Sequence, residues 1–129
     1  VTVVCSDEGI LRRPADAPAR LCIEFRGRGQ MADTGPSLSI ARDGAVTANG
    51  KKVAVLPPDA WTRFELRFAL GDAGNGTYAL KVRGPDGDAD FTLPFGSQTF
   101  ADIAWVGITT PDDADGTAYL DDLKLEITP

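Results

Sequence analysis

Histidine is missing from all 129 residues of this chain, which removes the side chain that most often moves protons near neutral pH. Ser6, Ser37, Ser39 and Ser97 therefore have no imidazole to activate them as nucleophiles. Cysteine is nearly as scarce. There are only Cys5 and Cys22 and no CxxC, so the thiols alone cannot complete a structural zinc site. No apolar run approaches the roughly 20 residues a membrane-spanning helix needs. No window of about 11 residues carries an uninterrupted helical stripe, because Pro or Gly breaks the few candidates. Basic side chains number 13 against 19 acidic ones, a net charge of −6. Such a field repels nucleic-acid phosphates and anionic membrane surfaces, so neither is an expected partner.

What is present points to β structure. The length suits one domain with its own core, and 14 Gly and 9 Pro supply many turns. From Leu38 to Leu56 the chain reads LSIARDGAVTANGKKVAVL. Asp43-Gly44 and Asn49-Gly50 offer the positive φ angles of tight hairpins between short β-prone runs. A three-stranded meander is predicted there. In WTRFELRFAL, Phe64, Leu66, Phe68 and Leu70 alternate with Arg63, Glu65 and Arg67, one face for a core and one for water. In residues 77–95, Tyr78, Leu80 and Val82 face Phe91 and Leu93 across GPDGD, a second hairpin. VTVV, LCIEF, IAWVGITT and AYLDDLKLEI bring the expected total to about ten strands. The predicted fold class is all-β, a two-sheet antiparallel β-sandwich formed by residues 1–129 as a single domain, since two sheets bury alternating faces without the strict closure of a barrel.

Cys5 and Cys22 flank the Pro-rich excursion RRPADAP. A disulfide across it would contribute about 3 kcal/mol in the chain-entropy model and imply an oxidising compartment. A Cys5–Cys22 bridge and an extracellular or periplasmic location are expected. The sequence opens without Met and without a signal-peptide pattern, so we expect a domain cut from a longer secreted protein, with neighbouring domains of that parent as partners.

The order of a Trp-led strand (WTRFELRF), a hairpin ending in DG (YALKVRGPDG), a Gly-containing strand (WVGITT) and a terminal YLDDLKLEI resembles the concanavalin A-like, laminin-G-like jelly roll over residues 36–127. The resemblance implies a two-sheet jelly roll that rides beside catalytic domains in secreted bacterial carbohydrate-active proteins. Members of the fold also bind proteins or only pack against neighbours. TRFELRF is itself similar to a signature of one alginate lyase family, in which the Arg and Glu hold uronate carboxylates while a His and a Tyr from other motifs transfer protons. That family's Gln-x-His triplet and Tyr-x-Gln segment have no match here. The Glu-x-Asp-x-x-Glu strand of glucanases with this fold is also absent, so no carboxylate pair is set for glycosidic cleavage. The expected function is a non-catalytic accessory module, most plausibly carbohydrate-binding. A structural or protein-interaction sandwich and a lyase or glycosidase are the alternatives.

Trp61, Arg63, Glu65 and Arg67 share one face of one strand over about 20 Å, and together they would offer a stacking surface and two fork-shaped donors to an acidic or hydroxyl-rich glycan. The competing reading makes them the solvated face of a sheet. Tyr78 and Tyr119 share a face with Leu80 and Leu123, and Trp105 with Ile103, which predicts all three aromatics in the core. In TTPDDADGTAYLDD, Asp113, Asp115 and Asp121 are candidate calcium ligands, against the alternative of a solvated acidic turn. Apart from such a structural calcium, no cofactor is expected. Asp121 falls on the core face of its strand and needs a partner there.

Overall fold

The computed structural model describes residues 2–5, 11–12, 21–29, 33–57, 60–71, 74–85, 87–109, 119–120 and 123–126. Among them there is no α-helix and there are twelve strands: β1 (Thr2–Cys5), β2 (Leu11–Arg12), β3 (Leu21–Arg26), β4 (Thr34–Ile40), β5 (Ala45–Ala48), β6 (Lys51–Val55), β7 (Arg63–Arg67), β8 (Thr77–Gly84), β9 (Gly87–Pro94), β10 (Trp105–Thr109), β11 (Tyr119–Leu120) and β12 (Leu123–Glu126). The first sheet has the order β12-β1-β7-β8-β9 and the second β10-β3-β4-β5-β6, while β11 and β2 form a two-stranded ribbon. All pairings are antiparallel. The ribbon accounts for the excess over the expected strand number, because two-residue strands carry no periodicity to read.

Alternation does what the sequence predicts. Phe64, Leu66 and Phe68 in and beside β7, with Tyr78, Leu80 and Val82 of β8 and Leu93 of β9, pack in one buried cluster with Phe25, Leu38, Ile40, Val46 and Val53 from the second sheet. Two sheets sharing one core make a β-sandwich. Its aromatic end centres on Phe68, whose ring lies edge-on to Phe25 at 5.6 Å and to Phe95 at 5.7 Å. Phe95 in turn meets Phe100 at 5.0 Å and stacks near Tyr78 at 6.3 Å. Such pairs add about 0.5–1.5 kcal/mol each beyond the area they bury.

The hairpin between β5 and β6 turns on Asn49 (φ 43°) and Gly50 (φ 88°), both left-handed as a two-residue turn requires. At Asp43-Gly44 only Gly44 takes a positive φ; Asp43 instead accepts the Ala45 amide through Oδ1 at 3.0 Å, a side-chain turn that needs one left-handed residue rather than two. Asn49 does more than turn. Its Oδ1 accepts the Ser37 amide at 3.0 Å and the Tyr78 hydroxyl at 2.6 Å, and its Nδ2 donates to Gly35 O at 3.1 Å. One side chain thereby ties β4 and the β5–β6 turn to β8 of the opposite sheet.

The two ends of this tie have different expected costs. Tyr78→Phe removes one hydrogen bond and should cost about 1 kcal/mol. Asn49→Ala removes three and puts alanine in the left-handed region, for about 3–4 kcal/mol. Denaturant unfolding with unchanged m-values checks both; equal costs would contradict the role given to Asn49.

Candidate functional site

The structure places Arg63, Glu65 and Arg67 on the outer face of β7 in the first sheet, and Trp61, 38% exposed, precedes that strand. The row is self-satisfied. Glu65 sits between its neighbours, with Oε1 2.8 Å from Arg67 Nε and Oε2 3.8 Å from Arg63 Nη2. Across the sheet Glu65 faces Lys81, and Lys81 faces Asp90. Arg83, beside Arg63, holds Asp90 at 2.8 Å and Asp88 at 3.6 Å. Exposed pairs of this kind contribute no more than about 1 kcal/mol each, but they set each arginine beside a carboxylate of the chain. The expected ligand row is in place geometrically, with its arginines engaged by carboxylates of the chain itself.

Trp105 lies elsewhere than expected. Its strand pairs β3 in the register Trp105↔Arg26 and Val106↔Phe25; since Phe25 is in the core, Val106 shares its direction and Trp105 points to the outside of the second sheet. Phase was inferred from Ile103, which precedes the strand and does not share its alternation. The signal in the sequence is Gly107. A Cβ there would overlap the indole Cζ2 and Cη2, so the glycine leaves room for the ring against the backbone.

Around Trp105 the outer face of this sheet is polar and connected. Arg26 Cζ is 4.8 Å from the indole ring centre, a cation–π distance. The same guanidinium donates to Glu24 Oε2 through Nε at 3.0 Å and Nη2 at 2.6 Å. Glu24 Oε1 accepts the Ser37 hydroxyl and the Cys22 thiol, each at 3.4 Å. From Cys22 the pairing runs outward to Ser39, Thr47 and Lys52 on successive strands. The row of hydroxyls thus lies on the same outer face as the indole but is aligned with Thr109, the other end of β10.

The expected Cys5–Cys22 disulfide is not found, because Cys22 carries a free thiol. The reason is topological: Cys22 is on β3 of the second sheet, aligned with the outward Glu24–Ser37 network, whereas Cys5 belongs to β1 of the first sheet. Sequence spacing across RRPADAP carries no information about which sheet each strand joins. The calcium candidates Asp113, Asp115 and Asp121 lie outside the described residues. Among the described residues no three His, Cys, Asp or Glu side chains are grouped to hold a metal. A cleft of about 240 Å³ opens where β6 meets the β8–β9 hairpin, between Val53, Val55 and Pro57 on one side and Val82 and Ala89 on the other, and Asp88 is the carboxylate that lines it.

The chain matches no protein-family model, no curated protein and no solved structure.

Two outcomes test this geometry. Burial pushes the Cys22 thiol above its ordinary value, so less thiolate is present at pH 8 than in an exposed cysteine, and alkylation at Cys22 should be slower there and still rising beyond pH 9. The sign for stability follows. A raised folded-state pKa means stability is kept below the ordinary thiol pKa and lost as pH climbs through the folded one. Peptide mapping that finds Cys22 disulfide-linked in native protein would contradict the free thiol. In the second test, Gly107→Ala should drive the indole off the backbone and red-shift the Trp105 fluorescence in a Trp61→Phe background; an unshifted spectrum would mean the ring does not rest on Gly107.

Proposed function

We propose that this chain is a non-catalytic, glycan-binding accessory module of a secreted bacterial protein, working extracellularly or in the periplasm beside a glycan-processing catalytic domain. The observation that carries the reading is the Trp105–Arg26–Glu24 assembly, tied to the Ser37 hydroxyl, on the same outer face of the second sheet as Ser39 and Thr47. A sugar presents apolar C–H faces that pack on an aromatic ring and hydroxyls that need hydrogen-bonding partners, and this surface supplies both. The jelly roll of concanavalin A-like, laminin-G-like type is part of the proposal. It is supported by the side-by-side pairing of β1 with β12 and by the return of β10 to the edge beside β3. With Cys22 free, location rests on the expected work of the module and not on a disulfide.

A protein-interaction sandwich is the second reading, favoured by Val106 and Ile108, 38% and 45% exposed on the edge strand β10. A glycan array followed by isothermal titration separates the two. Glycan binding should fall about tenfold or more in Trp105→Ala and stay within about twofold in Trp61→Ala. An array without a single glycan bound by the parent protein would overturn the proposal in favour of the second reading.

A further inference from the structure

Resting on the glycan-binding reading, we infer that the ligand at the Trp105 face is a neutral pyranose chain and that uronates and sulfated sugars are rejected. Recognition of a sugar carboxylate or sulfate calls for an available guanidinium fork or a comparable buried cation. Of the chain's nine arginines, Arg26, Arg28, Arg63, Arg67 and Arg83 each lie against a carboxylate of this chain, at closest distances of 2.6, 2.9, 3.8, 2.8 and 2.8 Å.

The pair next to the indole is the decisive one. Arg26 and Glu24 are only 17% and 19% exposed, and two nitrogens of the guanidinium converge on one oxygen of Glu24. An anionic sugar at Trp105 would have to pull Arg26 away and leave Glu24 partly desolvated without its cation, or else sit against that carboxylate; both are unfavourable. The lysines do not rescue it. Lys52 is four strands from Trp105 across the sheet, about 19 Å at the usual strand spacing. Lys51 is on the same distant strand with its Nζ over the Phe91 ring at 5.3 Å, and Lys81 stands between Glu65 and Asp90 on the opposite sheet. The net charge of −6 opposes polyanions at longer range. Among the described residues, what the Trp105 assembly offers a ligand is one aromatic ring and, through Glu24, the Ser37 hydroxyl, with the uncharged Ser39 and Thr47 farther along the same face, a set matched to hydroxyl groups.

The test is isothermal titration of the parent protein with short neutral oligomers of glucose, xylose and mannose and with oligomers of galacturonate, mannuronate and guluronate, each at low and at high salt. Neutral binding with affinity unchanged within about twofold between the two salts is expected, since no counterion is released. Arg63→Ala with Arg67→Ala should leave that affinity unchanged. A uronate oligomer that binds more tightly than every neutral one, and weakens with salt, would overturn the inference while keeping the glycan-binding reading. The absence of binding to both classes would overturn both.

Discussion

The side chain of Asn49 is the constraint on which the rest of the structure depends. It occupies the left-handed corner of the β5–β6 hairpin, satisfies backbone groups of β4 at Gly35 and Ser37, and receives the Tyr78 hydroxyl from the other sheet. Burial pushes the Tyr78 phenol upward in pKa, so it stays a proton donor across the physiological range. The turn, the sheet register and the docking of the two sheets are thereby settled by one residue. A slip of β4 by one residue against β5 would turn Leu38 and Ile40 outward and Ser37 and Ser39 into the core. The hydroxyl row of the candidate site is thus the reverse side of the same register that fills the core.

The two outer faces differ in chemistry although both belong to alternating strands. On the first sheet, Arg63, Glu65, Arg67, Lys81, Arg83, Asp88 and Asp90 set basic and acidic side chains against one another across three strands. That pattern keeps a sheet surface soluble and correctly paired at little energetic cost. On the second sheet, the Arg26–Glu24 pair stands beside Trp105, Lys52 lies on the opposite edge strand, and the middle strands show serine and threonine. A surface with one ring and many hydroxyls has few ways to bind tightly by charge. It is suited to ligands whose own polarity is spread over many hydroxyls, which is the basis of the glycan reading.

Most of the fold was legible because local chemistry and global packing agree. Asn49-Gly50, the FELRF alternation and the Tyr78-to-Leu93 hairpin each signal their own structure and sit where expected. The site was less legible. Arg63, Glu65 and Arg67 do share a face of β7, yet alternation does not reveal that Glu65 lies between both arginines. Trp105 was assigned the wrong face because Ile103 lies before the start of β10, and strand phase depends on where the strand begins. The Cys5–Cys22 pairing failed for a longer-range reason, since strand-to-sheet assignment comes from topology and not from the interval between two cysteines.

The central claim is that the Trp105 face, and not the RFELR row, meets the ligand. The chain has two tryptophans, so a nitrogen–proton correlation spectrum carries two indole signals, one reporting each sheet. On titration with neutral glucose, xylose or mannose oligomers, the account predicts that the Trp105 indole and the amides of Ser37, Ser39 and Thr47 shift while the Trp61 indole stays in place. Shifts confined to Trp61 and the amides of Arg63 to Arg67 would contradict it.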